Sequence, residues 1–154
     1  LTVGKIKESY LRDAIKEYAK RLGKYCKLEI LEVTDEKTPD SLSATAAELV
    51  RKKEGERLLK SLPKDAYIIT LEISGKQLTS EEFSQKIENL AVQGVSHLVF
   101  VIGGSLGLGQ NILQKSDFAM SFSKMTYPHQ LMRVILLEQI YRGYRIANGE
   151  PYHK

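Results

Sequence analysis

The sequence has few of the features on which secreted, disulfide-bonded and membrane proteins depend. Cys26 is its one cysteine, which excludes an internal disulfide and a metal site built on a cysteine cluster. No apolar run approaches the roughly 18 residues of a membrane helix, and no apolar signal-peptide segment follows Lys5 and Lys7. We therefore expect a cytoplasmic protein. The opening Leu-Thr-Val before Gly4 reads as the end of a strand, so we also expect that the first residues of this strand are missing.

Positive charge is concentrated at the two ends of the sequence. Residues 5–27 carry eight Lys or Arg against three carboxylates, and residues 142–154 carry three against one. Residues 28–141 hold twelve basic and fifteen acidic residues. An anionic partner that contacts both ends would explain this pattern. A solvated helix face followed by a tail would explain it as well.

Strands and helices alternate along the sequence. Helical spacing of apolar residues and a capping box, Thr79 followed by Glu82, mark the helices. Alternation of this kind predicts an α/β protein with a mostly parallel sheet. Because no linker or repeat interrupts the pattern, we expect residues 1–154 to form one domain. The predicted helices span about 11–22, 43–62, 80–94, 110–115 and 128–147, and the predicted strands about 28–33, 67–73, 97–102 and 118–122.

The last predicted helix, 128–147, is apolar on nearly every side. Residues 131–137 are apolar except for Arg133, and Ile140, Tyr141, Tyr144 and Ile146 continue the pattern. A helix of this kind is buried on more than one side. In so small a chain, a second subunit is the simplest cover for the additional side.

A glycine-rich turn, residues 103–109, follows the most apolar predicted strand. An α/β sheet binds ligands at such strand ends, and glycines let backbone N–H groups approach a ligand closely. The turn is not a P-loop, because Gln110 and Asn111 replace the Lys-Ser/Thr pair. It is not a dinucleotide fingerprint, because Ile112 stands where the third glycine belongs. A tight turn without a ligand is the alternative.

A second, polar loop at residues 121–130 follows another predicted strand and leads into the last helix. Its backbone amides and carbonyls would be open to a ligand. Leu71 at the end of a third strand would supply a further wall. Together these segments predict a pocket for a purine-bearing cofactor at the strand ends.

Several segments of the sequence closely resemble one family. They are Ile102–Gly107, Met120–Gln130, Glu138–Arg142 and Gly149–Lys154, and Thr2–Lys7 is similar to the family's opening. The family is RlmH, whose members are large-subunit ribosomal RNA methyltransferases that modify N3 of a pseudouridine in 23S rRNA. The resemblance covers nearly the whole chain in order, and it is most specific in the C-terminal half.

The resemblance implies a SPOUT-type α/β domain in which the C-terminal part of the chain is threaded through a loop, forming a trefoil knot. It also implies a homodimer that uses S-adenosylmethionine and acts on 23S rRNA; we expect the assembled ribosome as the substrate, and free rRNA is the alternative. Because the sequence has no His, Cys or carboxylate set with ligand spacing, we expect no metal. Carried over by position, the expected cofactor contacts are Leu71, Gly103, Phe122, Ser123, Lys124, Met125, Thr126 and Tyr127.

For the methyl acceptor we single out the end of the chain. The N3–H of a uracil-type ring is a weak acid, so a base or a cation would assist its methylation. With the resemblance, Tyr152 is expected to stack on the base, His153 to accept its proton, and Arg142 to pair with an RNA anion. A frayed tail without function is the alternative. His97 and His129 are interpreted as structural.

Two other functions compete with methyl transfer. A P-loop nucleotide enzyme is disfavoured by the missing Lys-Ser/Thr pair. A non-catalytic RNA-binding module would need little more than the basic first helix, whose lysines and arginines suit a phosphate backbone. Binding of S-adenosylmethionine distinguishes both from a methyltransferase.

Overall fold

The computed structural model describes residues 1–39 and 41–152 of the chain. Helices and strands alternate in it, as the sequence predicts. The helices are α1 (Ser9–Leu22), α2 (Ala44–Ser61), α3 (Ser80–Val92), α4 (Gln110–Leu113) and α5 (His129–Ala147). The strands are β1 (Thr2–Val3), β2 (Glu32–Val33), β3 (Tyr67–Gln77), β4 (Leu98–Val101) and β5 (Phe118–Ser121).

All strand pairs among the described residues are parallel. β1 pairs with β2, and β3 pairs with β4 on one side and β5 on the other. A bridge between Thr2 and Ile102 joins the two groups, since the Val3 amide donates to the Ile102 carbonyl at 3.2 Å. The resulting strand order is β2-β1-β4-β3-β5. This confirms the predicted α/β class with a mostly parallel sheet, while the trefoil knot stays a prediction.

Helices cover both faces of the sheet. Successive residues of β3 point to opposite sides, so that Ile69 packs with α1, α3 and α5, while Ile68 packs toward α2 and α4. The first core contains Leu22, Phe83 and Leu137 from the three helices. The strands are therefore buried on both faces, which is the usual environment of a parallel sheet.

Local sequence signals set the ends of two helices. The Ser43 hydroxyl accepts a hydrogen bond from the Ala46 amide at 3.2 Å, and α2 begins at the next residue. Thr79 and Glu82 form the predicted capping box, in which each side chain accepts from the other residue's amide. Two backbone donors are satisfied in this way at the start of α3.

The structure corrects three predicted boundaries. Only Glu32–Val33 of the predicted strand 28–33 is paired. α1 begins at Ser9, two residues before the predicted start, and the glycine that follows it, Gly23, has a right-handed conformation with φ −56°. β3 does not end at Ser74-Gly75-Lys76 but continues to Gln77. Leu71 and Lys76 both pair with Met120, so the residues between them form a bulge. None of the helices in the described ranges is long and apolar enough to cross a membrane.

Candidate functional site

Three of the predicted cofactor segments meet at one edge of the sheet. Thr70 pairs with Val101 of β4 and Leu71 with Met120 of β5, so the regular part of β3, before its bulge, stops at nearly the same level as the ends of β4 and β5. Gly103 follows β4, and the loop 122–127 follows β5. Neighbouring strands lie about 4.8 Å apart, so the glycine turn and the loop flank the end of β3 at about that distance. Leu71 is half-buried between them.

The bulge of β3 forms one wall of this edge. Residues 72–75 leave the ladder and pass over the end of β5. A Cβ atom on Gly75 would lie 2.6 Å from the Met120 carbonyl carbon, so the two backbones touch at a distance that only glycine allows. Behind the bulge, the Thr70 hydroxyl donates to Glu72 Oε1 at 2.7 Å.

The glycine turn after β4 is tight. The Gly107 amide donates to the Gly104 carbonyl at 3.1 Å, and Gly107 has φ +82°, a conformation that favours glycine. Gly103 is buried, and a Cβ atom there would lie 2.6 Å from the Gly107 carbonyl carbon. Asn111, which replaces a P-loop residue, donates instead to the Lys52 carbonyl of α2 at 3.0 Å. This hydrogen bond fixes the end of the glycine-rich segment to α2.

Serine side chains shape the loop 122–127. The Ser121 hydroxyl donates to the Ser123 carbonyl at 3.0 Å, and the Ser123 hydroxyl accepts from the Met125 amide at 3.0 Å. Phe122 and Ser123 are half-buried, whereas the next four residues are exposed. Met125 in particular has 71% of its surface open to solvent. An exposed methionine beside a strand end is a surface suited to a ligand or a second subunit.

His129 and Arg133 lie at the start of α5 under this loop. Arg133 is buried and donates to Glu32 Oε1 at 2.7 Å and to the carbonyls of Val3 and Gly4 at 2.7 and 2.8 Å. It therefore ties α5 to β1 and β2. Burial, with the charge of Arg133, lowers the pKa of His129. A neutral, half-buried imidazole agrees with the structural role expected of His129.

The predicted acceptor residues Arg142 and Tyr152 contact each other. The Arg142 guanidinium carbon lies 4.4 Å from the centroid of the Tyr152 ring, and the Tyr152 hydroxyl donates to Glu138 Oε1 at 3.0 Å. Arg142 donates to the same carboxylate from Nε at 3.0 Å and from Nη2 at 2.8 Å. Tyr141 meets the Tyr152 ring edge-on at 5.2 Å. His153, the third predicted residue, lies outside the described residues.

Glu138 determines the protonation of this group. Its hydrogen bond raises the pKa of Arg142, which therefore keeps its charge. Burial and the same carboxylate raise the pKa of Tyr152 to about 12. Tyr152 thus remains a neutral phenol near pH 7, suited to stacking and hydrogen bonding but not to accepting a proton. Glu138 of the same helix thus already places one carboxylate beside Arg142.

The acceptor residues lie far from the loops of their own chain. Arg142 stands about 20 Å along α5 from His129, at about 1.5 Å per residue. Tyr152 packs on the second half of α5, and the Pro151 carbonyl accepts from Arg145 Nη2 at 3.3 Å. Up to Tyr152, the tail therefore lies along α5 of its own chain and not over the loops of that chain.

The two basic ends of the sequence form one surface. α1 packs along α5, and the Tyr25 ring stacks on Tyr144 at 5.6 Å. Arg21 of α1 lies 5.8 Å from the Tyr141 ring of α5. The Tyr25 hydroxyl donates to Glu150 at 2.9 Å, which fixes the start of the tail to the end of α1. Aromatic rings and cations are thus interleaved, as in many RNA-binding surfaces.

Neither a metal cluster nor a large cavity marks the predicted site. Within residues 1–39 and 41–152, no group of three His, Cys, Asp or Glu side chains could hold a metal ion. A cavity of about 1010 Å³ lies beside the start of β1, between residues 26–32 and β4, and none of the predicted site residues lines it. The candidate cofactor site therefore rests on the strand ends.

Sequence reasoning missed Glu54. The stretch 51–57 is dense in charge, a composition typical of a solvated surface, yet Glu54 is only 4% exposed. It lies beneath the glycine turn, where a Cβ atom on Gly104 would be 3.0 Å from its Oε2. The signal that could have found it is Gly55, a glycine in the interior of a helix, where it is unfavourable unless another segment packs closely.

Comparison with known proteins gives consistent matches over the whole chain. The family described as "Predicted SPOUT methyltransferase" matches residues 1–153. The "Ribosomal RNA large subunit methyltransferase H" of Bifidobacterium adolescentis is 61% identical over 154 residues, which cover 100% of this chain and 97% of the relative. The protein of that name from Clostridium beijerinckii is 56% identical over 154 residues, with the same coverage of both chains.

Proposed function

The chain belongs to the SPOUT methyltransferase family, and we propose that it methylates N3 of a pseudouridine in 23S rRNA, with S-adenosylmethionine as the methyl donor. The observation that carries the proposal is the meeting of Leu71, Gly103 and the loop 122–127 at one sheet edge. The names of relatives that are 61% and 56% identical over the full chain support the rRNA substrate.

The proposal includes the organisation of the enzyme. Residues 1–154 form one domain, whose C-terminal part is threaded into a trefoil knot, and the enzyme works in the cytoplasm on the assembled ribosome. Family membership supports the knot. The close backbone contact of Gly75 with β5 shows how tightly the chain is packed where the threading would occur.

Positioning is the main task of such a site, because methyl transfer is an in-line displacement. The cofactor supplies a methyl group on a sulfonium sulfur. In the transfer the sulfur–carbon bond breaks, a bond from N3 to the methyl carbon forms, and the N3 proton leaves. In the proposed site, backbone groups of the glycine turn and of residues 122–127 bind and orient the cofactor, while Leu71 packs against it.

The acceptor base binds between two subunits in this proposal. Arg142 and Tyr152 lie about 20 Å along α5 from the loops of their own chain, so they would serve the loops of the partner subunit. Tyr152 stacks on the base, Arg142 holds negative charge on the base or the RNA backbone, and His153 accepts the N3 proton. The contact of Arg142 with Tyr152 at 4.4 Å supports a shared role.

We expect a homodimer in solution. The outward side of α5 carries Leu131 and Ile135, and Leu131, Met125 and Tyr127 are exposed to 36%, 71% and 41%. Apolar side chains in such a row are usually covered by another chain. Sedimentation equilibrium at micromolar concentration should give twice the mass of 17.4 kDa. A Leu131→Glu variant should shift the mass toward the monomer, and a wild-type monomer would contradict the composite site.

We expect S-adenosylmethionine to bind without a metal. Calorimetry in the presence of a chelator should give the same dissociation constant as calorimetry without it, because the proposed contacts are backbone groups and apolar side chains. A chelator that abolishes binding would contradict the metal-free site. Failure of the cofactor to bind under either condition would instead favour a non-catalytic RNA-binding module, for which the basic face of α1 would suffice.

A further inference from the structure

Glu54 is a buried carboxyl group that the proposed mechanism leaves without a role. It lies on α2, and one of its oxygens, Oε1, accepts a hydrogen bond from the Glu36 amide at 2.9 Å. The other oxygen, Oε2, has no hydrogen-bond partner in residues 1–39 and 41–152. Burial of a polar atom without a partner is unfavourable. A group kept at this cost is a candidate for a function.

The second oxygen faces the glycine turn. A Cβ atom on Gly104 would lie 3.0 Å from Oε2 and 3.2 Å from Val3 Cγ1, so Gly104 closes the space above the carboxyl group. Glu54 thus lies between the loop after β2, which it holds through Glu36, and the turn after β4. Both loops leave the carboxyl-terminal edge of the sheet, where α/β proteins bind their ligands.

The rest of α2 is fitted to the same turn. A Cβ atom on Gly55 would overlap the side chain of Asn111, and a Cβ atom on Gly109 would lie 2.6 Å from the Arg51 carbonyl oxygen. Asn111 donates to the Lys52 carbonyl at 3.0 Å. α2 therefore contacts both ends of the glycine-rich segment 103–109: Glu54 lies near Gly104, and Arg51 lies near Gly109.

The groups around Glu54 have opposite effects on its pKa. Burial raises its pKa, the Glu36 amide lowers it, Asp35 and Glu36 raise it, and Arg57 lowers it. Arg57 is itself paired with Glu36 and donates to the Thr34 carbonyl at 2.8 Å. A protonated Glu54 would present an O–H donor to the turn, and glutamine has nearly the same shape with an N–H donor.

We propose that Glu54 is a positioning residue of the cofactor site, whose buried carboxyl group packs beneath Gly104 and supports the glycine turn 103–107 in the shape that binds S-adenosylmethionine. The inference rests on the proposed function, because that function places the cofactor on the turn. Glu54 acts from beneath and does not contact the reacting atoms. Its loss should therefore weaken cofactor binding more than it slows methyl transfer at saturating cofactor.

The test compares substitutions at Glu54 in the full chain. We expect Glu54→Ala to raise the dissociation constant for S-adenosylmethionine at least tenfold and Glu54→Gln to change it less than threefold. With saturating cofactor, kcat and the KM for ribosomes should stay within threefold in both. Glu56, the exposed carboxylate two positions along α2, is the matched control, and Glu56→Ala should leave every constant unchanged.

Each outcome decides the proposal. If Glu54→Ala fails to fold, Glu54→Asp replaces it, since the shorter side chain withdraws from Gly104 and should also weaken the cofactor at least threefold. Wild-type affinity in a folded Glu54→Ala or Glu54→Asp variant would overturn the positioning role and leave the proposed function standing. An equal loss in kcat, in the KM for ribosomes and in the affinity for S-adenosylmethionine would show a merely structural role. A wild-type protein that binds no cofactor would overturn both proposals.

Discussion

Replacing Gly103 by alanine should weaken binding of S-adenosylmethionine about hundredfold, or about 2.8 kcal/mol. The added Cβ atom would lie 2.6 Å from the Gly107 carbonyl carbon and 2.7 Å from its oxygen. Both are backbone atoms of the same turn and cannot move away as a side-chain end could. The turn must open, and the amides that face the cofactor are displaced with it. Isothermal calorimetry measures the change.

A matched control adds the same atom elsewhere. Gly143 of α5 is buried, but a Cβ atom there would meet Phe83, Ser84 and Ile87 at 3.6 to 3.7 Å, an ordinary contact distance. Gly143→Ala should keep the cofactor affinity of the wild type. The higher helix propensity of alanine should offset the cost of any close contact of the added methyl group. If Gly103→Ala also binds the cofactor normally, the cofactor does not contact this turn.

The α/β class and the candidate edge could be predicted because local signals determine them. Thr79 and Glu82 fix the start of α3, and the apolar run before Gly103 can only be a strand covered on both faces. Once the strands are known to be parallel, their carboxyl ends must share one edge. That geometry brings Leu71, Gly103 and the loop 122–127 together without knowledge of any long-range contact.

The parts that could not be predicted depend on partners distant in sequence. Arg133 is buried because Glu32 and the carbonyls of Val3 and Gly4 receive its donors, about a hundred residues or more away. Glu54 is buried because Gly104 and Glu36 close over it. Composition and periodicity describe only the neighbours along the chain, so both side chains resemble surface charges in the sequence.

The position of the tail also depends on partners distant in sequence. Gly149 has φ +64° and ends α5, as expected of a glycine that allows a sharp change of direction. What the sequence does not reveal is the surface that receives the tail. Glu150 accepts from Tyr25, which follows α1, and Tyr152 donates to Glu138, so the tail lies along α5 of its own chain. This placement turns the acceptor residues toward any chain that covers α5.

Deletion of residues 151–154 should abolish methyl transfer while the cofactor still binds. The deletion removes Tyr152 and His153, the two proposed acceptor groups, and keeps the hydrogen bonds of Arg142 to Glu138. The proposed cofactor contacts are on strand ends about 20 Å away along α5, so the dissociation constant for S-adenosylmethionine should change less than about tenfold, or about 1.4 kcal/mol. Transfer to ribosomes should fall at least a thousandfold at saturating cofactor.

The size of that loss follows from the two roles assigned to the tail. Positioning the base and removing its proton each contribute on the order of a hundredfold or more, and the deletion removes both. Tyr152→Phe separates them, because it keeps the ring beside Arg142 and loses only the hydrogen bond to Glu138, and it should retain most of the activity. A truncated protein that methylates ribosomes at the normal rate would show that the tail has no role in methyl transfer. Loss of cofactor binding on truncation would place the tail in the cofactor site, and the division of roles between loops and tail would then be wrong.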